Sequence, residues 1–131
     1  MVLNDDMTRR LARDGLTVSR AGVLWQLHHR GPTTQRALAD ALGVSARTMT
    51  GLVDGLVATG FVTREPHPTD RRAILATFTA RGRRVMRTLE RERATFVRLL
   101  FADMPGATFD AFVDGLDHVL VRIRRAARGG P

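Results

Sequence analysis

Residues Thr34 to Gly60 read TQRALADALGVSARTMTGLVDGLVATG, and the spacing of apolar residues within them decides the fold. Thr34 stands where a helix cap belongs, ahead of Ala37, Leu38, Ala41 and Leu42, and Gly43 closes that short helix. Ser45 caps the next helix, whose Met49, Leu52, Val53, Leu56 and Val57 recur at the three-four spacing of one buried stripe, and Gly60 ends it. Two short helices joined across Gly43-Val44-Ser45 make a helix-turn-helix, a motif whose tight turn often carries Gly.

Outward from this motif the pattern is helical upstream and changes period downstream. Val23, Leu24 and Leu27 follow a Thr17 cap at helical spacing, and Gly31-Pro32 stops that helix. After Gly60, the segments Phe61 to Glu65 and Arg72 to Thr79 are rich in β-branched and apolar residues. Between them lie Pro66 and Pro68, which exclude a helix, so the region reads as a hairpin with an extended tip. Thr79 caps a long helix carrying Val85, Leu89, Phe96 and Leu100, and Met104-Pro105-Gly106 breaks it. Thr108 is the expected cap of a last helix with Phe109, Phe112, Val113, Leu116, Val119, Leu120 and Ile123 along one face. The tail from Arg128 to Pro131 reads as disordered. The fold class is therefore mainly α with a small β-hairpin, in the order helix, helix, helix-turn-helix, hairpin and two helices.

The whole chain has 131 residues with 44% hydrophobic, which suits one domain with a self-sufficient core. With no cysteine, disulfides, thiolate metal sites and cysteine nucleophiles are all excluded. The net charge of +8 points to a polyanionic partner, and every basic residue is Arg. The excess lies mainly between residues 61 and 100, where ten Arg face four acids. There is neither a signal peptide core before Arg13 nor an apolar run long enough for a membrane span, so the chain reads as cytoplasmic, with no membrane partner. Phosphate-binding glycine loops, zinc-protease motifs and serine elbows are missing, while Ser19 and Ser45 sit at helix starts. No enzyme, metal or other cofactor is expected.

A helix-turn-helix followed by a basic hairpin is the winged arrangement, in which the second helix enters the major groove of double-stranded DNA and the hairpin reaches the adjacent backbone or minor groove. With the apolar stripe turned inward, Ala46, Arg47, Thr48, Thr50, Gly51 and Asp54 point outward. Arg47 is the side chain there able to bridge a guanine edge, while Thr48 and Thr50 suit phosphates, bases or a thymine methyl. The competing reading of Arg47 is a solvated charge, and that of Asp70-Arg71-Arg72 is a plain turn. Thr34 and Ser45, at the two helix starts, complete the DNA-facing set with Arg64 as a phosphate contact at the base of the wing.

Leu16-Thr17, Ala37 to Ser45, Thr48 to Leu56, Gly60 to Arg64, Pro68-Thr69-Asp70-Arg71-Arg72 and Leu75 to Arg83 occur in an order that resembles the multiple antibiotic resistance regulator (MarR) family of winged-helix transcription factors. The Asp-x-Arg wing and the Thr-x-x-Gly-Arg helix start are its specific part. The resemblance implies one domain over residues 1–131: a DNA-binding lobe at 17–79, with dimerisation helices at 1–16 and 80–128. It implies a homodimer on a pseudo-palindromic operator, most often a repressor. Asp70 would brace the wing by an ion pair, and Arg72 would enter the minor groove. It further implies a small, often aromatic effector, for which Trp25, His28 and His29 are the best-placed residues. The competing reading of Trp25 is plain core, and the adjacent histidines diverge by about 100° on a helix, against a shared metal.

Gly51 and Gly55 depart from the family pattern, since relatives often carry Arg or Lys there, so affinity should lean on the wing. That departure also motivates an alternative, a winged-helix protein-interaction module or a weakly specific DNA binder without ligand control. Arg81, Arg83, Arg84 and Arg87 divide evenly between a solvated face and a phosphate-facing or partner-facing role. Leu89, Phe96, Leu100, Phe112, Leu116, Leu120 and Ile123 suit a dimer interface better than a core, because so small a domain cannot bury both long apolar helices within one protomer.

Overall fold

Hydroxyl caps set where the helices begin in the computed structural model, which describes residues 2–129, with side chains from residue 5 onward. Thr17 accepts from the Arg20 amide at 3.1 Å, Thr34 from Ala37 at 3.2 Å and Ser45 from Thr48 at 3.1 Å. The elements are α1 (Val2–Arg13), α2 (Val18–Arg30), β1 (Thr33–Thr34), α3 (Gln35–Leu42), α4 (Ala46–Ala58), β2 (Val62–Pro66), β3 (Ile74–Phe78), α5 (Ala80–Phe101) and α6 (Gly106–Arg128). Gly43 takes a left-handed φ of 66°, so the chain leaves α3 and re-enters a helix within three residues.

The sheet has three antiparallel strands in the order β1-β3-β2, one more than the hairpin read from sequence. Thr33 and Thr34, extended after Gly31-Pro32, pair with Ala76 and Leu75 on the edge of β3 that β2 leaves open. On the other edge Val62 pairs with Phe78, Arg64 with Ala76 and Pro66 with Ile74. Both hairpin strands start later than expected: Phe61 is a fully buried core residue ahead of β2, and Arg72-Ala73 belong to the turn.

The core gathers Val23, Leu24 and Leu27 from α2, Leu38 from α3, and Met49, Val53 and Leu56 from α4 around Phe61. Leu52 is half-buried, but Val57 is 37% exposed and leaves the predicted stripe. The expected Thr108 cap is also corrected. Helix α6 starts at Gly106 behind Pro105, whose carbonyl accepts from Phe109, and no side chain caps it.

The chain divides into two compact units, Met1–Arg91 and Glu92–Pro131. The first is larger than the lobe expected at residues 17–79, because Leu11 of α1 and Met86 and Leu89 of α5 join its core. In the second, Phe101 meets Phe109 edge-on at 5.3 Å and Phe112 at 5.8 Å, while α6 has no buried residue. The predicted disordered tail is helical to Arg128, with Gly129 as C-cap; Gly130 and Pro131 lie outside the described residues. Among the described residues, no helix is long and apolar enough to cross a membrane.

Candidate nucleic-acid interface

Helix α4 turns Met49, Val53 and Leu56 into the core, which leaves Arg47, Thr48, Thr50, Gly51 and Asp54 exposed on its outer side. Ser45 both caps the helix and donates its hydroxyl to Thr48 Oγ1 at 3.0 Å, so the two hydroxyls are held together at the N-terminal end. Thr50 donates to the Ala46 carbonyl at 3.0 Å, which commits its proton and leaves its methyl and an acceptor lone pair for a partner.

Arg64 ties the wing to the helix-turn-helix. From β2 its Nε donates to Gln35 Oε1 at 3.0 Å on α3, and an Nη donates to Asp54 Oδ1 at 2.5 Å on α4. Gln35 in turn donates to Thr50 Oγ1 at 3.3 Å. An arginine expected from sequence as a phosphate contact is thus the tie between three elements. Helical spacing could not reveal this, because the partners meet only once β2 lies beside α4.

At the tip of the wing, Asp70 Oδ1 accepts from the Arg72 amide at 3.0 Å. This corrects the expected brace: among the described residues Asp70 forms no ion pair, and it fixes the turn through the backbone instead. Sequence reading missed His67. Its Nδ1 accepts from the amides of Thr69 at 3.1 Å and Asp70 at 3.0 Å, which requires the ring proton on Nε2. The His67 amide closes the loop on the Ala73 carbonyl at 3.1 Å. The available signal was a histidine between two prolines, just before Thr-Asp. With their turn built by other residues, Arg71 and Arg72 are left exposed.

The Thr-x-x-Gly-Arg start of α5 is structural in detail. Thr79 Oγ1 accepts from the Gly82 amide at 3.0 Å and donates to the Gly60 carbonyl at 2.6 Å. A Cβ on Gly82 would overlap the Phe61 carbonyl oxygen, so this glycine lets α5 lie directly on the corner between α4 and β2. Of the four arginines here, Arg81 stacks over Phe61 at 4.6 Å and Arg83 donates to the Phe78 carbonyl at 3.1 Å.

The three residues expected at an effector site form one aromatic cluster on α2. Trp25 lies edge-on to His28 at 5.9 Å and stacks on His29 at 6.1 Å. Trp25 is half-buried against the core, while His28 Nε2 meets Glu90 Oε1 of α5 at 3.2 Å. A depression of about 330 Å³ is lined by Leu27, His28, Gly31, Phe78, Arg83, Met86 and Arg87. His28 reaches it; Trp25 and His29 are not among its walls.

A helix-turn-helix with an arginine and two threonines on its outer helix, tied to a basic hairpin within a three-stranded sheet, defines a winged helix-turn-helix protein. A sequence profile described as MarR family matches residues 14–73. The transcriptional regulator MhqR of Bacillus subtilis is 30% identical over 80 residues, 61% of this chain and 55% of its own. The transcriptional repressor YetL of the same organism is 35% identical over 86 residues, 62% and 50% of the two chains. The chain thus spans about half the length of these curated relatives. A solved structure, the transcriptional regulator Tm0710 of Thermotoga maritima, superposes with a TM-score of 0.63 at 30% identity, covering 94% of this chain and 87% of that one. The chain belongs to the MarR family of winged-helix regulators.

Proposed function

We propose that this protein is a cytoplasmic transcriptional repressor, a homodimer that binds a pseudo-palindromic operator sequence-specifically and is released by a small aromatic molecule. The observation that carries this reading is the outer side of α4, where Arg47 and Thr48 stand exposed beside a wing whose turn presents Arg71 and Arg72. Arg47 reads a guanine edge and Thr48 and Thr50 read neighbouring bases, while the N-terminal ends of α3 and α4 at Thr34 and Ser45 face phosphates. Arg64 uses the part of its guanidinium not bound by Gln35 and Asp54 for the backbone. Asp70 holds the turn from which Arg72 enters a narrow minor groove, whose negative potential attracts arginine.

Dimerisation through the flanking helices is supported by the Glu92–Pro131 unit, in which Phe112, Leu116, Val119 and Ile123 of α6 are all exposed. A series of large apolar side chains open to water on one helix marks an interaction surface. Two copies related by a two-fold axis would present their α4 helices to half-sites about 34–36 Å apart. The depression beside His28, with apolar walls and two arginines, suits a small aromatic effector, and the Trp25-His28-His29 cluster forms its neighbourhood on α2. The names of MhqR and YetL support regulation, and that of YetL repression.

Footprinting on the DNA upstream of its own gene tests the proposal. Protection of a two-fold site at moderate salt, relieved by an aromatic ligand, is expected. Equal affinity for that DNA and for random duplex would leave only the interaction module or the weakly specific binder.

A further inference from the structure

Helix α4 carries Arg47 as its one cation, yet a second guanidinium lies on its surface, delivered from another element. Arg20 is the third residue of α2, its amide fixed to Thr17 Oγ1 at 3.1 Å. Its side chain runs across α4 at Gly55, where a Cβ would come within 2.7 Å of Arg20 Nε and closer still to its Cζ and Nη2. Gly55 therefore keeps a groove in the helix surface into which the Arg20 head fits. Gly51, one turn earlier and 40° away around the helix, is different: a Cβ there would meet nothing within 4 Å. Thus the first glycine opens the outer side of α4, and the second admits an arginine from α2 next to it.

Arg20 is half-buried, and among the described residues no carboxylate stands within ion-pair distance of it. A partly desolvated guanidinium gains most from an anionic partner that can take two of its hydrogen bonds, and phosphate is such a partner. When a recognition helix enters the major groove, phosphates pass along its flanks. Gly55 lies on such a flank, between the buried stripe of Met49, Val53 and Leu56 and the exposed Arg47 and Gly51. We infer that Arg20, seated in the Gly55 groove, is a DNA-phosphate contact of the recognition helix that the helix's own sequence does not supply. This rests on the DNA-binding reading above.

The test measures affinity of the full chain by fluorescence anisotropy, for its footprinted duplex and for a random duplex, across a range of NaCl concentrations. Arg20→Ala should weaken both duplexes by similar factors and flatten the slope of log affinity against log salt by about 0.9 per lost contact, close to 2 for a dimer. Arg20→Lys, which keeps the charge, should retain most of the slope. Gly55→Ala, which keeps the arginine but pushes its head out of the groove, should reproduce part of the loss. An Arg20→Ala protein whose salt slope equals that of the unsubstituted chain would overturn the inference, whatever its thermal stability or absolute affinity. Should the unsubstituted chain bind neither duplex, the DNA-binding reading itself falls, an outcome distinct from an unchanged slope in the variant.

Discussion

At the scale of single residues, two arginines on neighbouring elements differ in their degree of restraint. Arg47 is exposed on α4 and free to adjust to a base edge, whereas Arg64 is fixed by Gln35 and Asp54. Exposed ion pairs such as Arg64 with Asp54 contribute at most about 1 kcal/mol to stability, so the tie matters more for position than for folding. Arg47→Ala is expected to cost about 1–3 kcal/mol against the correct base at one operator position and nothing against random duplex. Selection of bound sequences from a randomised pool reads this directly, and an unaltered preference would return Arg47 to the role of a solvated charge. Arg72→Ala should act in the other manner, lowering affinity for narrow A·T-rich flanks and reducing the salt slope by about 0.9 per protomer.

At the scale of elements, the three glycines in α4 and at the start of α5 have three different roles. Gly51 faces open space, so Gly51→Ala should raise stability by up to about 1 kcal/mol, the helix-propensity difference alone. Gly82→Ala should instead lower it by about 1–3 kcal/mol, because the added methyl drives α5 off the Phe61 carbonyl. Urea unfolding of the two variants checks both signs. The sequence alone did not separate these glycines, since each stands in a helical pattern and only neighbours distant in the chain tell them apart. Local signals were read well where the cause was local. The Thr17, Thr34, Ser45 and Thr79 caps and the Gly43 turn all depend on residues within four positions. The misreadings have tertiary or conformational causes. Strand β1 exists because β3 offers it an edge, and α6 starts from Pro105 rather than Thr108. Asp70 binds a backbone amide where an ion pair was expected, in a turn that His67 completes.

At the scale of the whole molecule, each compact unit has a distinct balance of buried and exposed apolar surface. Met1–Arg91 encloses its own core, while Glu92–Pro131 leaves Phe112, Leu116 and Ile123 uncovered. If the proposed dimer forms through α6, replacing Leu116 by Glu is expected to shift the chain from dimer to monomer in sedimentation at micromolar concentration, while the far-ultraviolet helix signal of the chain persists. A dimer that survives this change would place the interface elsewhere. The basic excess between residues 61 and 100 takes on a sharper meaning in the folded chain, because Arg64, Arg81 and Arg83 are occupied by protein groups. Arg71 and Arg72 of the wing remain exposed, as do Arg84 and Arg87 in the first turns of α5.

The position of β1 has a consequence for how the lobe opens. Thr34 pairs with Leu75 in the sheet and, through its hydroxyl, starts α3. A two-stranded ribbon on its own is only marginally stable in water, but here the central strand is clasped on both edges, one of them by the cap of the helix-turn-helix. Local opening of the wing therefore cannot spread past Leu75 without also releasing the first turn of α3. The amides of Leu75, Ala76 and Ala37 should accordingly exchange with solvent deuterium as one cooperative group, while that of Arg71 exchanges ahead of them at the tip.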